Sequence, residues 1–400
     1  METAPSPRVS TLQTRLHRFL QTVVLPQESS MNTALRTAAT QPGQPVHALL
    51  APMRQKAQLA GLWNLFLPAS TRTSQGLSHW EYAPMIEAMG RIAWAAELFN
   101  SAQPDAGNMQ LLDSYASEPL KDAWLDPLLR AETRSAWAAS EPDADLHRPD
   151  SLQAQASRDG EHWVLNGHKT WVQGVLDPRT ACLLVLCRTD AEAPLHRQFS
   201  VLLIPIKTDG VRIGRKLHGW GGAQSTLAEV IFDHVRVAAR QNVGQPGQGL
   251  EMLRARQRVV GLHDALWCLG AAERALDLMV ERLQTRRMGE QVAVHHPVWQ
   301  QRIAQARTGL DTTRMLARRS AWQLDQNDGD LPPQELAMLQ SLALPLALTT
   351  VQWSTVAHEA DALDDALPLA GLSAHLRLMQ QLAPPVEALH AQIAQGELLR

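Results

Sequence analysis

The sequence predicts an α+β chain: an N-terminal helical domain, a middle β-domain and a C-terminal four-helix bundle. Three observations carry this prediction. Up to residue 134, apolar side chains recur at helical spacing. From 135 to 240 the texture turns to short apolar runs broken by turn residues, the pattern of strands. After Gly249 long helical periods return and persist. The chain therefore divides into 1–44, an extension with a helix; 45–134, helical; 135–240, β; and 241–400, the helical bundle.

The elements follow in order. Leu12 to Val24 is amphipathic and stops near Pro26, and Pro52 to Leu67 is a second helix closed by Pro68. Ser78 to Asn100 is the clearest helix, because Ser78 with Glu81 three residues on reads as a capping box. Pro119 to Ala131 adds another. In the β segment Trp163-Val164-Leu165 runs into Asn166-Gly167, which predicts a tight turn there. Ala181 to Cys187, Phe199 to Ile206, Val230-Ile231-Phe232 and Val235-Arg236-Val237 read as strands. Leu250 to Gln284, Pro297 to Asp325, Pro333 to Leu363 and Ser373 to Ala394 make the bundle.

Composition narrows the function. With 400 residues, 45% hydrophobic and 19% charged, the chain can bury a large core and does not read as disordered. A net charge of -3 lacks the basic excess of a nucleic-acid binder. No run of ~18 apolar residues is read, so membrane insertion is not expected. Met1 to Ser10 is polar, with no apolar signal core behind it. Cys182, Cys187 and Cys268 are too few and scattered for a disulfide framework or zinc site. A reduced, cytoplasmic protein is the expectation. Twelve tryptophans make core and interface the ordinary place for any one of them.

Several motifs resemble one family. Ser140-Glu141-Pro142-Asp143 is similar to the Thr-Glu-Pro block of the acyl-CoA dehydrogenases, followed by Asp159-Gly160, Asn166-Gly167 and Lys169-Thr170-Trp171. Gly270-Ala271-Ala272-Glu273-Arg274-Ala275-Leu276 looks like the family's first C-terminal helix. Trp63-Asn64-Leu65-Phe66-Leu67-Pro68, Glu81-Tyr82-Ala83-Pro84 and Phe99-Asn100 through Gly107-Asn108-Met109 resemble a long-chain subgroup, the dehydrogenase domain of kinase-fused members. The resemblance covers residues 45–400, and no motif is matched in 1–44. It implies FAD as cofactor, an acyl-CoA or similar thioester as substrate, and a homodimer or homotetramer. It places Ser140, Trp171, Val172 and Gln173 at the flavin, Arg286 and Arg287 toward phosphate, and His147, Arg148 and His263 toward substrate. The residues agree as far as they go: an indole after a strand can stack on a flat ring, and Ser140 supplies a hydroxyl for its edge.

The same resemblance shows departures. The family removes an α-proton from the thioester with a carboxylate, while a hydride leaves the β-carbon for the flavin. That base position falls on Ala383, which cannot accept a proton. The alternative base site of some relatives falls on Val260-Gly261. The family's His-Gly-Gly-x-Gly loop, which lets a partner subunit's FAD approach the backbone, reads His358-Glu359-Ala360-Asp361-Ala362. The Arg-x-x-Phe-Gly segment is shortened to Arg286-Arg287-Met288-Gly289, and the Ser-Asp pair expected after Pro142 falls on His147-Arg148.

Asp264, or His263 beside it, lies one helical turn beyond Val260 and is a candidate replacement base; Glu387, one turn after Ala383, is another. The ordinary reading of each acid is a helix carboxylate paired with a neighbouring base. His295-His296 reads as a loop ahead of a helix, without a carboxylate at metal-ligand spacing. Gly219-Trp220-Gly221-Gly222 reads as a β-domain turn. Three functions remain open: an FAD-dependent acyl-CoA dehydrogenase, an inactive homologue serving as structural subunit beside an active paralogue, and a flavin oxidase or monooxygenase on the same fold.

Overall fold

The chain enters its first helix at Pro7, whose missing N–H costs nothing in the first turn, while the Ser6 hydroxyl accepts from the Val9 amide at 3.3 Å. In this computed structural model the described residues are 5–40, 46–70, 72–73, 76–146, 148–217 and 227–398. They group into two compact units: 5–99 with 261–398, and 100–217 with 227–260.

The first unit is helical. Helix α1 (Pro7–Phe19) passes through a π turn at Leu20–Val24 and a 3-10 turn at Leu25–Gln27 into α2 (Glu28–Thr40). The expected helix at Leu12 therefore starts five residues earlier, and α2 was not foreseen. Val9, Leu12, Leu16 and Phe19 are buried, and Phe19 meets Phe99 edge-on at 5.7 Å. Helix α3 (Val46–Leu59) carries Pro52 inside it and stops well short of Leu67, with Gly61 just beyond in the left-handed region. Helix α4 (His79–Gly90) has the full capping box: the Glu81 amide donates to Ser78 Oγ (3.3 Å) and the Ser78 amide to Glu81 Oε2 (3.1 Å). It does not continue to Asn100; a 3-10 turn at Ala95–Phe99 follows.

The second unit holds α5 (Asp105–Tyr115), not foreseen, and α6 (Glu118–Leu120) joined by a π turn to α7 (Asp126–Leu129). Its sheet contains β1 (Arg134–Ala138), β2 (Gln155–Asp159), β3 (His162–Val172), β4 (Thr180–Arg188), β5 (Phe199–Pro205), β6 (Val211–Lys216), β7 (Ala228–Ala238) and β8 (Asn242–Val243). The order is β6-β7-β3-β2-β4-β5-β8, with β1 parallel beside β4. The predicted turn at Asn166-Gly167 is corrected: both residues lie within β3. The hairpin turns at Gly160-Glu161, with Asp159 paired to His162 and Gly160 at φ +55°. Asn166-Gly167 marks a register slip against β7 instead. Asn166 Oδ1 accepts from the His234 amide (2.8 Å), and a Cβ at Gly167 would lie 2.5 Å from Ala154 Cβ.

Helix α8 (Gly249–Thr285) opens the C-terminal segment, and a small hairpin of β9 (Arg287–Met288) and β10 (Gln291–Val292) follows. Next come α9 (Pro297–Gln326), capped by His296 Nδ1 accepting from Val298, and α10 (Pro333–His358). The last predicted helix is two: α11 (Leu369–Leu382) and α12 (Val386–Leu398). Pro384 disfavours helical geometry at the residue before it, and Ala383 is extended at φ -75°, ψ 159°. The expectation that no segment is apolar enough to cross a membrane also needs correction. Pro333–Leu363 meets the length and hydropathy requirement. Within this unit α10 packs against α9, α11 and α12, which accounts for part of that apolarity; 33% of its most apolar window is buried.

Helices α4 and α8 cross where neither carries a side chain. A Cβ on Gly270 would sit 2.0 Å from the Glu87 carbonyl oxygen, and one on Gly90 2.3 Å from that of Trp267. Arg314 of α9 then reaches Glu87 and Glu273, each at 2.7 Å, tying three helices together. Gly270→Ala is therefore expected to destabilise by ~1–3 kcal/mol despite alanine's better helix propensity. Gly371→Ala, on α11 with no atom near its added Cβ, should stabilise by up to ~1 kcal/mol. Urea unfolding of both variants measures the contrast.

Candidate functional site

In the sheet unit, the stretch after β1 lies beside the end of β3. The Thr170 amide donates to the Ser140 carbonyl (2.9 Å), and the Trp137 amide to the Gln173 carbonyl (3.3 Å). Ser140, Trp171, Val172 and Gln173 are thereby brought together. The register of β3 against β7 slips between Lys169 and Val172, and inside that slip Trp171 adopts φ +52°. Bulky residues rarely occupy this region, and such strain concentrates at binding sites. The Trp171 indole is half-buried rather than in the core, with the Arg215 guanidinium 4.9 Å from its ring centre. No tight turn precedes it; strand β3 leads into it directly. The Val172 side chain is fully buried, so only its main chain can meet a ligand.

This wall is held by an ion pair. Lys169, 0% exposed, donates to Glu141 Oε1 (2.7 Å) and to the Ala139 carbonyl (2.9 Å). The carboxylate also accepts from the amides of Gln153 (2.6 Å) and Ala154 (3.0 Å). Burial lowers the Lys169 pKa, and the Glu141 charge opposes it. A second network backs β1. The Ser135 amide and hydroxyl donate to Asp105 (2.6 and 2.5 Å), Asn108 donates to Ser135 Oγ (2.9 Å), and Arg256 stacks over Trp137 at 4.6 Å. Sequence reading recognised Glu141, Lys169 and Asn108 as motif members but not as partners. Arg148 is exposed beside Asp150 at 3.3 Å; His147 and Gly219–Gly222 lie outside the described residues.

In the helical unit, His263 of α8 is only 7% exposed and packs beside His79 (6.2 Å between ring centres) and Tyr82 (6.0 Å). Burial, with His79 adding to it, pushes the His263 pKa down to about 3. Burial likewise lowers His79, against the raising influence of Asp325, whose carboxylate caps α4 by accepting from the His79 and Trp80 amides at 2.8 Å each. His263 is thus a neutral core residue. Asp264 is half-buried, and its charge adds to burial in pushing up the thiol of Cys268, one turn on. Ala383 ends α11 and is followed by two prolines; Glu387 is exposed in the first turn of α12.

Arg286 and Arg287 are both engaged by their own chain. Arg286 donates to the carbonyls of Val356 (3.1 Å) and Ala357 (2.9 Å) and to Glu359 Oε1 (2.6 Å); Arg287 donates to the Glu290 carbonyl (2.6 Å). Glu359 sits at φ +57°. A flavin ring therefore suits the wall, which offers a half-buried indole, a hydroxyl and main-chain groups on a rigid strand. A dinucleotide phosphate does not suit the Glu359 loop, where a carboxylate already holds the guanidinium and a Cβ stands in a glycine conformation.

Replacing Glu141 by Ala is expected to strand the Lys169 ammonium and cost ~3–5 kcal/mol in urea unfolding. His263 predicts an acid limb. Its folded pKa of about 3 lies below its ordinary value of 6.5, so between these pH values the unfolded chain binds more protons. The stability this neutral residue supports is intact above about pH 6.5 and lost as pH falls toward 3, with a slope of up to ~1.4 kcal/mol per pH unit. His263→Leu should flatten that slope in unfolding curves recorded across the window.

Comparison with known proteins agrees with this architecture. The family described as "Acyl-CoA dehydrogenase, middle domain" matches residues 136–235, and "Acyl-CoA dehydrogenase, C-terminal domain" matches 247–397. The probable acyl-CoA dehydrogenase FadE2 of Mycobacterium tuberculosis is 35% identical over 100% of this chain and 98% of its own. That match takes in residues 1–44, which the motifs left without a counterpart. The chain spans 37% of acyl-CoA dehydrogenase family member 10 and 51% of family member 11 of Mus musculus. A solved putative acyl-CoA dehydrogenase from Mycobacterium abscessus superposes with a TM-score of 0.92 at 30% identity, covering 99% of both chains. PigA, solved with FAD and proline, shares the fold at 20% identity and a TM-score of 0.85, covering 100% of both. With two family domains matched in order and a full-length relative above 30% identity, the chain belongs to the acyl-CoA dehydrogenase family.

Proposed function

We propose that this chain is a flavoprotein that keeps the ring-binding wall of its family and lacks the family's proton-abstracting carboxylate. The observation that supports it is the left-handed Trp171 beside Ser140 at the end of β3. FAD, which PigA is solved with, would supply the hydride acceptor. Ser140 and the main chain of Val172 and Gln173 would meet the ring edge, and Trp171 its face. An acyl-CoA thioester is the substrate class that the relatives' names support. Its α-proton needs a base within hydrogen-bond reach, and Ala383 offers a methyl group. Asp264 lies beside Cys268 and Glu387 on the surface, so neither takes over that position in this reading. Exposed Leu342 and Val356 on α10 and Met315 on α9 support self-association as a homodimer or homotetramer.

The Arg286–Glu359 pair favours a second reading, a structural subunit beside an active paralogue, because it fills a place where the family resemblance implies phosphate. Riboflavin, FMN and FAD titrations followed by flavin absorbance and fluorescence separate the two. Ring-dependent binding is expected; a protein that takes up none of the three is the structural subunit. Anaerobic bleaching by a panel of acyl-CoA thioesters then tests the missing base. Ala383→Asp is expected to accelerate bleaching by ~10²-fold or more. Bleaching by the unaltered protein at the rate of that variant would sink the proposal.

A further inference from the structure

We infer that Glu359 is a built-in anion for Arg286: its carboxylate fills the guanidinium that an incoming phosphate group would need, so this surface does not take up a pyrophosphate. The inference concerns only the helical unit and stands apart from the flavin reading except where FAD is used as a probe.

The local structure supports it in three ways. First, the donors of Arg286 are committed. One terminal nitrogen donates to the Val356 and Ala357 carbonyls and the other to Glu359 Oε1 at 2.6 Å, and the Arg286 side chain is 19% exposed. Second, Glu359 holds φ +57° and ψ -134° directly after α10, a conformation suited to glycine. A side chain with a Cβ persists there while its carboxylate reaches the arginine, so the loop's shape and its charge are set by one residue. Third, Asp361 lies 3.7 Å from Arg282, so the two arginines at the end of α8 face two carboxylates from the turn after α10. The formal charges of these two pairs match, which lowers their attraction for a polyanion, and Arg287 beside them is held by the Glu290 carbonyl.

An exposed ion pair is weak by itself, and Glu359 is 62% exposed. Its advantage is tethering. A carboxylate held next to its partner by the chain competes at an effective concentration of mM order or more, which a free phosphate at lower concentration does not match. Hydrogen bonds to two carbonyls further fix the guanidinium toward the loop.

Calorimetric titration of the full chain with inorganic pyrophosphate and with ADP tests this. The unaltered protein is expected to show no saturable binding up to mM concentrations. Glu359→Gln removes the charge but keeps the Cβ; Glu359→Gly removes both. Each should gain at least about tenfold in affinity for pyrophosphate, and adding Arg286→Gln should abolish the gain. Circular dichroism checks that the variants fold, and Glu359→Gln carries the test if the glycine variant does not. Binding by the unaltered protein as tight as by Glu359→Gln would overturn the inference, as would a gain that survives Arg286→Gln. A parallel titration compares FAD with riboflavin. Binding of either flavin tests the flavoprotein reading alone and leaves the role of Glu359 to the pyrophosphate titration. If no variant binds either flavin, the flavoprotein reading fails while the pyrophosphate titration still decides the role of Glu359.

Discussion

The sheet unit is organised by the buried pair of Lys169 and Glu141. Two charges removed from water are tolerated only when their remaining hydrogen-bonding capacity is met, and here it is met by the Ala139 carbonyl and the Gln153 and Ala154 amides. These contacts join three places in the chain: the stretch after β1, the entry to β2 and the end of β3. A buried pair of this kind adds little net stability over an apolar replacement, yet breaking it is costly. It therefore specifies geometry more than it strengthens the fold. That geometry sets Ser140 against Thr170 and turns Trp171 out of the core.

The helical unit relies on close approach instead. Gly90 and Gly270 let α4 and α8 touch backbone to backbone, and arginine–carboxylate ties from α9 lock the crossing. Burial in this unit pushes the pKa of His263 down to about 3 and lowers that of His79. The positions to which the resemblance assigns chemistry in this unit make contacts within the chain. Ala383 terminates a helix, Asp264 sits beside Cys268, and Glu359 satisfies Arg286. The end of β3 thus leaves the Trp171 indole half-buried, whereas the loop after α10 is occupied by its own ion pair.

Helix starts were legible wherever a cap was local, as at Ser78 and Pro297, because the signal lies within four residues. Helix interruptions were not. Helix α4 stops at Gly90, at its crossing with α8, and α2 is tied in by contacts such as Glu28 with Arg274, 246 residues away. Asn166-Gly167 shows the same limit: the dipeptide suits a two-residue turn and a bulge equally, and the pairing of β3 with β7 chose the bulge.

The sequence by itself determined the α–β–α order, the family motifs and an alanine at 383, since each is a matter of residue identity and local spacing. Only the tertiary structure decided what those residues do. It placed Trp171 in a left-handed conformation, joined Glu141 to Lys169 across 28 residues, buried His263 as a neutral core residue and gave Arg286 to Glu359 across 73. Charge pairing, desolvation and backbone strain arise between segments distant in sequence, so no local pattern could have announced them.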